Sequence, residues 1–265
     1  MVEPAASANI AADSALRLTV IGSAPAWSLR AGTPSSCYLV ELGDQAIVLD
    51  LGQGSMGQLA ERRALDSIAA IVVSHIHPDH HVDLVALRHY LKYGLGRPSG
   101  LQLHAPPGLR QRYDTFLGEQ GFLDNLPGTD VSAGSRAVGP FLVEARPVTH
   151  APSAFAFRVS SGASPLAPAL VYSGDCGRWQ DLLPLIHPGD TLLSEAFWGV
   201  LAAQADQLHL SAADAACATR DGGAGRLILT HIADSQDPER CREEAGAVYS
   251  APVDVARPGL SVRIG

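Results

Sequence analysis

Cysteine is scarce in this sequence. Its four thiols, Cys37, Cys176, Cys217 and Cys241, form no CxxC pair, which excludes a zinc ribbon or a dithiol redox motif. A chain of 265 residues can build a core without disulfide staples, so free thiols in a reducing compartment are expected. Long apolar runs are absent too: none approaches the ~20 residues that span a bilayer. The opening "MVEPAASANIAADSA" has neither a basic start nor an apolar stretch, which argues against a signal peptide. Residues 1–15 are expected to be a disordered leader, and the cytoplasm is the expected location. Basic charge is outnumbered, 19 Lys and Arg against 27 Asp and Glu for a net −8. An acidic surface repels phosphate backbones and disfavours broad nucleic-acid binding. No repeat, low-complexity linker or break in composition divides the chain, so one domain over 16–265 is the simplest expectation.

What is present is globular: 46% hydrophobic and 17% charged residues, with 26 Gly and 18 Pro to make turns. Strands are expected at 16–22, at 37–42 and 46–52 around "GDQ" as a hairpin, at 68–75, and in "LQLHAPPG". Further strands follow at 141–150, 154–160, 169–175, 191–197, 226–231, "VDVA" and "LSVRI". Helices are expected at 57–65, at 83–93 from Leu84, Leu87 and Leu91 on one face, up to about Leu117, and at 178–186. Two more begin at Ser211, a capping-box N-cap with Asp214, and at Asp237-Pro238. The stretch 122–135 reads as loop. Two sheets packed between helical layers, an α/β four-layer αββα sandwich, fit this order.

The chemistry gathers where strands end. "SHIHPDHHVDL" (74–84) holds four histidines and two aspartates directly after the apolar "IAAIVV". His75 and His77, two apart in an extended segment, point the same way, and Pro78 keeps His77 extended. "ARPVTH" ends at His150, "LVYSGD" at Asp175 and "LILTH" at His231. Imidazole nitrogens and carboxylate oxygens are ligands for Zn²⁺, and Mn²⁺ or Fe suit them as well. A carboxylate such as Asp175 can bridge two ions, which together would bring a water pKa to about 7 and clamp a phosphate.

These residues carry a resemblance. "SHIHPDHHVDL" is similar to the HxHxDH signature of the metallo-β-lactamase fold superfamily, and "VTH", "YSGDCG", "LSEAFW", "LHLSAADAA" and "LILTHI" match it in order. The pattern most resembles the ribonuclease Z and atypical cyclic-nucleotide phosphodiesterase branch. The resemblance implies two divalent metal ions, zinc first. His75, His77 and His150 would hold one, Asp79, His80 and His231 the other, and Asp175 would bridge. It further implies that Asp79 orients a bridging hydroxide as general base, and that Glu195 and His209 assist protonation of the leaving group. Cys176 stands where many members carry Thr, as a packing residue or an oxidation-sensitive one.

His81 and Asp83 are expected to support the motif or cap a helix, and His89, His104 and His187 to sit at the surface or in packing. Trp27, Phe197 and Trp198 are candidates for stacking on a base, although core packing is the commoner role of such residues. Between His150 and Asp175 there is no room for the protruding arm with which ribonuclease Z grips tRNA. The expected activity is therefore hydrolysis of a small phosphodiester, a cyclic nucleotide in its sharpest form. tRNA 3′-end cleavage is the runner-up, lactone or β-lactam hydrolysis follows, and a non-enzymatic metal-binding module comes last. Iron-based oxygen reduction usually wants a Glu where this sequence has Pro78-Asp79. Homodimers are common among the members, and this one is open on that point.

Overall fold

The computed structural model describes residues 15–150, 153–201 and 208–265. The expected leader therefore lies, apart from Ala15, outside the described residues. The first half contributes β1 (Leu16–Gly22), β2 (Cys37–Leu42), β3 (Gln45–Leu49), α1 (Ser55–Arg62), β4 (Ala70–Val72), α2 (Leu84–His89), β5 (Gln102–His104) and α3 (Leu109–Leu117). The second half contributes β6 (Gly134–Val138), β7 (Phe141–Val148), β8 (Ala154–Ser161), β9 (Leu170–Tyr172), β10 (Thr191–Glu195), α4 (Ala212–Gly222), β11 (Arg226–Thr230), α5 (Pro238–Val248) and β12 (Val253–Val255). The last strand, β13 (Ser261–Ile264), returns to pair with β1.

One sheet has the order β13-β1-β2-β3-β4-β5 and the other β12-β11-β10-β9-β8-β7-β6. Their inner faces meet through Leu18, Val20, Tyr38, Ile47 and Leu49 on one side and Phe141, Phe157, Tyr172, Leu193 and Ile228 on the other. Leu59, Leu84, Leu87 and Leu109 cover the outer face of the first sheet, with Ile71 and Val73 beneath them. Ala212, Ala215, Ala216 and Ala245 bring α4 and α5 close to the second. Each large buried side chain contributes roughly 1.5–3 kcal/mol. The α/β sandwich with helices on both outer faces is thus the observed architecture.

Local chemistry explains most element ends. Ser211 accepts from the Asp214 N–H while Asp214 accepts from the Ser211 N–H, so α4 begins with the expected capping box. Asp237 caps α5, with Pro238 in its first turn. Four expectations are corrected. The strand expected over 68–75 is only Ala70–Val72, because the Ser74 N–H bonds the Asp50 side chain (2.6 Å) and not a neighbouring strand. The helix expected over 178–186 is one 3₁₀ turn, Trp179–Leu182, since Pro184 has no N–H to continue it. The helix from Asp83 changes to a wider π turn at Tyr90–Gly94. The stretch expected as loop, 122–135, runs into β6 at Gly134, where four of the strand's five residues are exposed and leave no apolar alternation to read.

In the second sheet β7, β9, β10 and β11 all run in one direction, β7 being antiparallel to β8 and β8 to β9, and the segment after β4 in the first sheet brings His75 to Asp175 beyond β9. Their carboxyl ends therefore open on one end of the sandwich, the place where parallel strands present ligands. At the far end of β10 a buried ion pair sets the register. Asp190, fully buried, accepts from Arg158 Nε (2.8 Å) and Nη2 (3.0 Å) and from the Ala169 (2.8 Å) and His187 (2.9 Å) N–H groups. Replacing Asp190 with Ala strands the buried guanidinium and should lower the free energy of unfolding by about 3–5 kcal/mol, read from urea denaturation curves.

Candidate metal centre

Three turns deliver the donors other than His150, which follows β7. After β4 the chain passes His75 and His77 into a 3₁₀ turn, Pro78–His80, which carries Asp79 and His80. Gly52 lets this turn approach, since a Cβ there would meet the Asp79 carbonyl oxygen at 1.9 Å. After β9 the left-handed Gly174 (φ +56°) swings Asp175 inward, where a side chain on residue 174 would press on Phe155 and Ser74. His231 follows β11 directly, in a left-handed backbone (φ 54°).

The structure brings together the residues expected to bind metal and to move protons. His75, His77, His150 and Asp175 form one set whose donor atoms lie within 4.8 Å of one another. Asp79, His80, Asp175 and His231 form a second within the same limit, and Asp175, Glu195 and His209 a third. In the first set His75 Nε2 is 3.1 Å and His150 Nε2 3.2 Å from His77 Nδ1. Asp175 Oδ2 is 3.5 Å from His75 Nε2 and 3.7 Å from His150 Nε2. In the second set His80 Nε2 is 3.3 Å from Asp175 Oδ1 and 3.4 Å from Asp79 Oδ2, and His231 Nε2 is 3.5 Å from Asp175 Oδ2 and 3.8 Å from Asp79 Oδ2.

These separations suit a cation. Four ligands at ~2.0–2.2 Å from a tetrahedral ion sit roughly 3.3–3.6 Å apart. His80 Nε2 and Asp175 Oδ1 are buried without any hydrogen-bond partner among the described residues, which is costly unless an ion meets them. Asp50, Asp79, Asp175 and Glu195 are all buried, and among the described residues no Lys or Arg pairs with any of them. Burial alone would raise the Asp175 pKa, but His231, His80 and His75 hold it well below the usual carboxylate range. Asp79 is likewise lowered against its burial, chiefly by His80. Burial keeps His75, His77 and His231 below the ordinary imidazole value. His80 goes the other way: Asp175 and Asp50 overcome its burial and raise it. A proton is drawn to the place a cation would take, as metal–proton competition requires.

A residue the sequence did not nominate organises this set. Asp50, fully buried after β3, accepts from His80 Nδ1 (2.7 Å), the Ser74 N–H (2.6 Å) and hydroxyl (2.7 Å), and the Tyr172 hydroxyl (2.6 Å). The Ser74 oxygen lies 3.1 Å from His75 Nδ1, so one carboxyl group orients two imidazoles. Its left-handed backbone (φ 59°) was the missing signal, and "VLDLG" does not display it. His150 donates Nδ1–H to the Leu208 carbonyl (2.7 Å), and His231 Nδ1 meets the Ser36 hydroxyl (3.3 Å).

Glu195, at the end of β10, accepts from His209 Nδ1 (3.0 Å) and from the Cys176 (2.8 Å) and Phe197 (3.2 Å) N–H groups. Burial opposes a charged His209, but Glu195 outweighs it and the pKa is raised to about 9. Cys176 is fully buried, and burial pushes its thiol pKa up, which favours packing over oxidation sensitivity. Asp83 caps α1, accepting from the Gly54 (3.1 Å) and Met56 (2.9 Å) N–H groups, and His81 bonds Tyr113. His89 is exposed, His187 half-buried and His104 buried, all apart from the cluster.

A two-sheet sandwich with this donor set at its strand ends defines a metallo-hydrolase of the metallo-β-lactamase fold. The chain belongs to the beta-lactamase superfamily: the family model described as "Beta-lactamase superfamily domain" matches residues 46–232. The uncharacterized protein Rv1339 of Mycobacterium tuberculosis is 30% identical over 246 residues, covering 90% of this chain and 88% of its own. The probable metallo-hydrolase YhfI of Bacillus subtilis is 24% identical, with 92% and 98% covered. The crystal structure of YhfI superposes with a TM-score of 0.83 over 94% of this chain and 99% of its own, at 22% identity. A diphosphatase from the PhnP family (TM-score 0.73, 16% identity, 94% and 97% covered) and the short form of human tRNase Z (0.70, 20%, 94% and 99%) share the fold.

Asp50→Asn keeps a residue type that tolerates the left-handed backbone while weakening the hold on His80. It should lower the affinity of the Asp79–His80–His231 set for Zn²⁺ by about 10–100-fold, read by chelator competition. In protein stripped of metal, His209 should stay protonated through neutral pH and lose its proton as pH rises through about 9. With Glu195→Gln only Asp175 is left to oppose burial, and the midpoint should fall from about 9 toward the ordinary imidazole value, followed by NMR of the imidazole resonances.

Proposed function

We propose that this chain is a dinuclear metal-dependent phosphodiesterase acting on a small phosphodiester, a 3′,5′-cyclic nucleotide in the first place. The observation that carries this reading is that two complete donor sets share Asp175. His75, His77 and His150 would hold one ion and Asp79, His80 and His231 the other, with Asp175 common to both; zinc is the first choice and manganese or iron the alternatives. Ions held there would supply Lewis acidity and a water ionised at neutral pH.

The chain's own groups do the rest. Asp79 Oδ2 faces both His80 and His231 Nε2 and is placed to take a proton from the attacking water. His209, held through Nδ1 by Glu195, carries a second proton on the opposite nitrogen and gives it to the leaving oxygen. Phe197 stacks on the His209 ring (centroids 4.7 Å apart) and shields that face from water.

A small substrate is supported by what lies between His150 and Asp175. β8, a short turn and β9 fill the interval from residue 153, with no arm for tRNA among these described residues. The acidic net charge points the same way. The PhnP-family diphosphatase with this fold agrees with phosphoryl chemistry. tRNA cleavage remains the second reading because of the likeness to tRNase Z.

The test is a panel of cyclic AMP, cyclic GMP, bis-p-nitrophenyl phosphate, a tRNA precursor and a β-lactam, with Zn²⁺ or Mn²⁺. Hydrolysis of a cyclic nucleotide is expected, and Asp79→Ala and His209→Ala should each slow it roughly 10²–10⁴-fold. His77→Ala should abolish it. Turnover of the tRNA precursor or the lactam, with no small phosphodiester cleaved, would reject the reading.

A further inference from the structure

Beside the cluster lies a cleft of about 330 Å³, lined by Pro25, Trp27, Phe197, Trp198 and Leu201 and floored by residues 233–236. It shares a wall with the centre, because Phe197 stacks on His209 and lies 6.2 Å, ring to ring, from His231. Trp198 packs edge-on against Phe197 (5.2 Å), and its Nε1 has no hydrogen-bond partner among the described residues. Trp27 is 63% exposed, an unusual position for so large an apolar ring.

The loop carrying Trp27 is nevertheless pinned. Asp234 accepts from the Ser28 hydroxyl (2.8 Å) and the Leu29 N–H (2.7 Å) and pairs with Arg30 Nε (3.1 Å). Arg30 Nη2 donates to the carbonyls of Ala233 (3.1 Å) and Gln236 (3.2 Å). On the other side of Trp27, Gln53 Nε2 holds the Ala26 carbonyl (2.7 Å) and the Ser35 hydroxyl the Pro25 carbonyl (2.9 Å). An exposed aromatic ring on a braced loop is preorganised for a flat ligand, since little freedom is lost on contact.

We infer that this cleft is the base subsite of the enzyme, with Trp27 as the residue that stacks on the nucleobase and Phe197 and Trp198 as the wall nearest the reacting phosphate. The inference rests on the phosphodiesterase reading above and names the part of the substrate that reading leaves open. A nucleobase fits because every base has a π face, and aromatic platforms recognise bases in this way. Ser235 and Gln236 on the floor supply polar groups for base edges. Binding the base here puts a nucleotide's phosphate toward His209 and the two donor sets, with no further contact along a polynucleotide required.

The test compares cyclic AMP with an abasic ribose 3′,5′-cyclic phosphate on zinc-loaded wild type, Trp27→Ala and Trp27→Phe. The expected result is a wild-type preference in kcat/KM for cyclic AMP that narrows roughly 10–100-fold in Trp27→Ala, through KM and not kcat. Trp27→Phe should restore most of it. Adenosine 5′-monophosphate should quench tryptophan fluorescence in the wild type and quench it less in Trp27→Phe. Equal kcat/KM for the two substrates in the wild type, or an equal loss on both in Trp27→Ala, would overturn the base subsite while leaving the phosphodiesterase reading intact. Cleavage of neither substrate would overturn both.

Discussion

The structure depends on one unfavourable arrangement: acidic groups crowded out of water with no Lys or Arg among the described residues to answer them. Asp175 stands in the middle, within salt-bridge distance of His75, His80, His150, His209 and His231. An uncompensated buried charge costs several kcal/mol, so an arrangement of this kind persists only where something positive occupies it. The imidazoles answer part of the charge through His80, and divalent cations would answer it more completely. The catalytic proposal and the stability of the strand ends are therefore two faces of one electrostatic problem.

The two sheets are joined at the same place. Asp50 comes from the first sheet and binds Tyr172 of the second, while Tyr38 of the first reaches Thr230 of the second (2.7 Å). Both bonds lie in the inter-sheet core beneath the donors, so packing and site geometry are fixed by the same side chains. Asp50 and His231 are the only non-glycine residues with left-handed backbone among those described, and such strain, about 1–3 kcal/mol each, gathers at functional sites. His80 is consequently positioned from below by a residue thirty places earlier in the chain, which explains how a short 3₁₀ turn can hold two donors rigidly.

Much of this was legible in the sequence because it was local. HxHxDH spacing, caps at Ser211 and Asp237, and apolar runs ending in His or Asp each state their meaning within a few residues. The donors nominated from those patterns all converge. What escaped was set by tertiary context. Asp50 looks like any aspartate after a strand, since its partners come from Ser74, His80 and Tyr172. Asp83 caps α1, a helix that precedes it, so reading forward from Asp83 points to the wrong helix terminus. β6 has one buried residue and so no alternation to read. Trp27 could not be separated from a core tryptophan until its loop was seen braced by Asp234.

The spread of the donors along the chain has a consequence for biosynthesis. His75, His77, Asp79 and His80 emerge early, but His150, Asp175 and His231 belong to the later sheet. On the proposed assignment the early histidines alone would make an open, low-affinity chelate; the set with His150 is complete only once β9 has docked, and the set with His231 only once β11 has docked. Tight capture of the second ion would thus mark a finished polypeptide, and truncated products ending before His231 would lack one donor of that set.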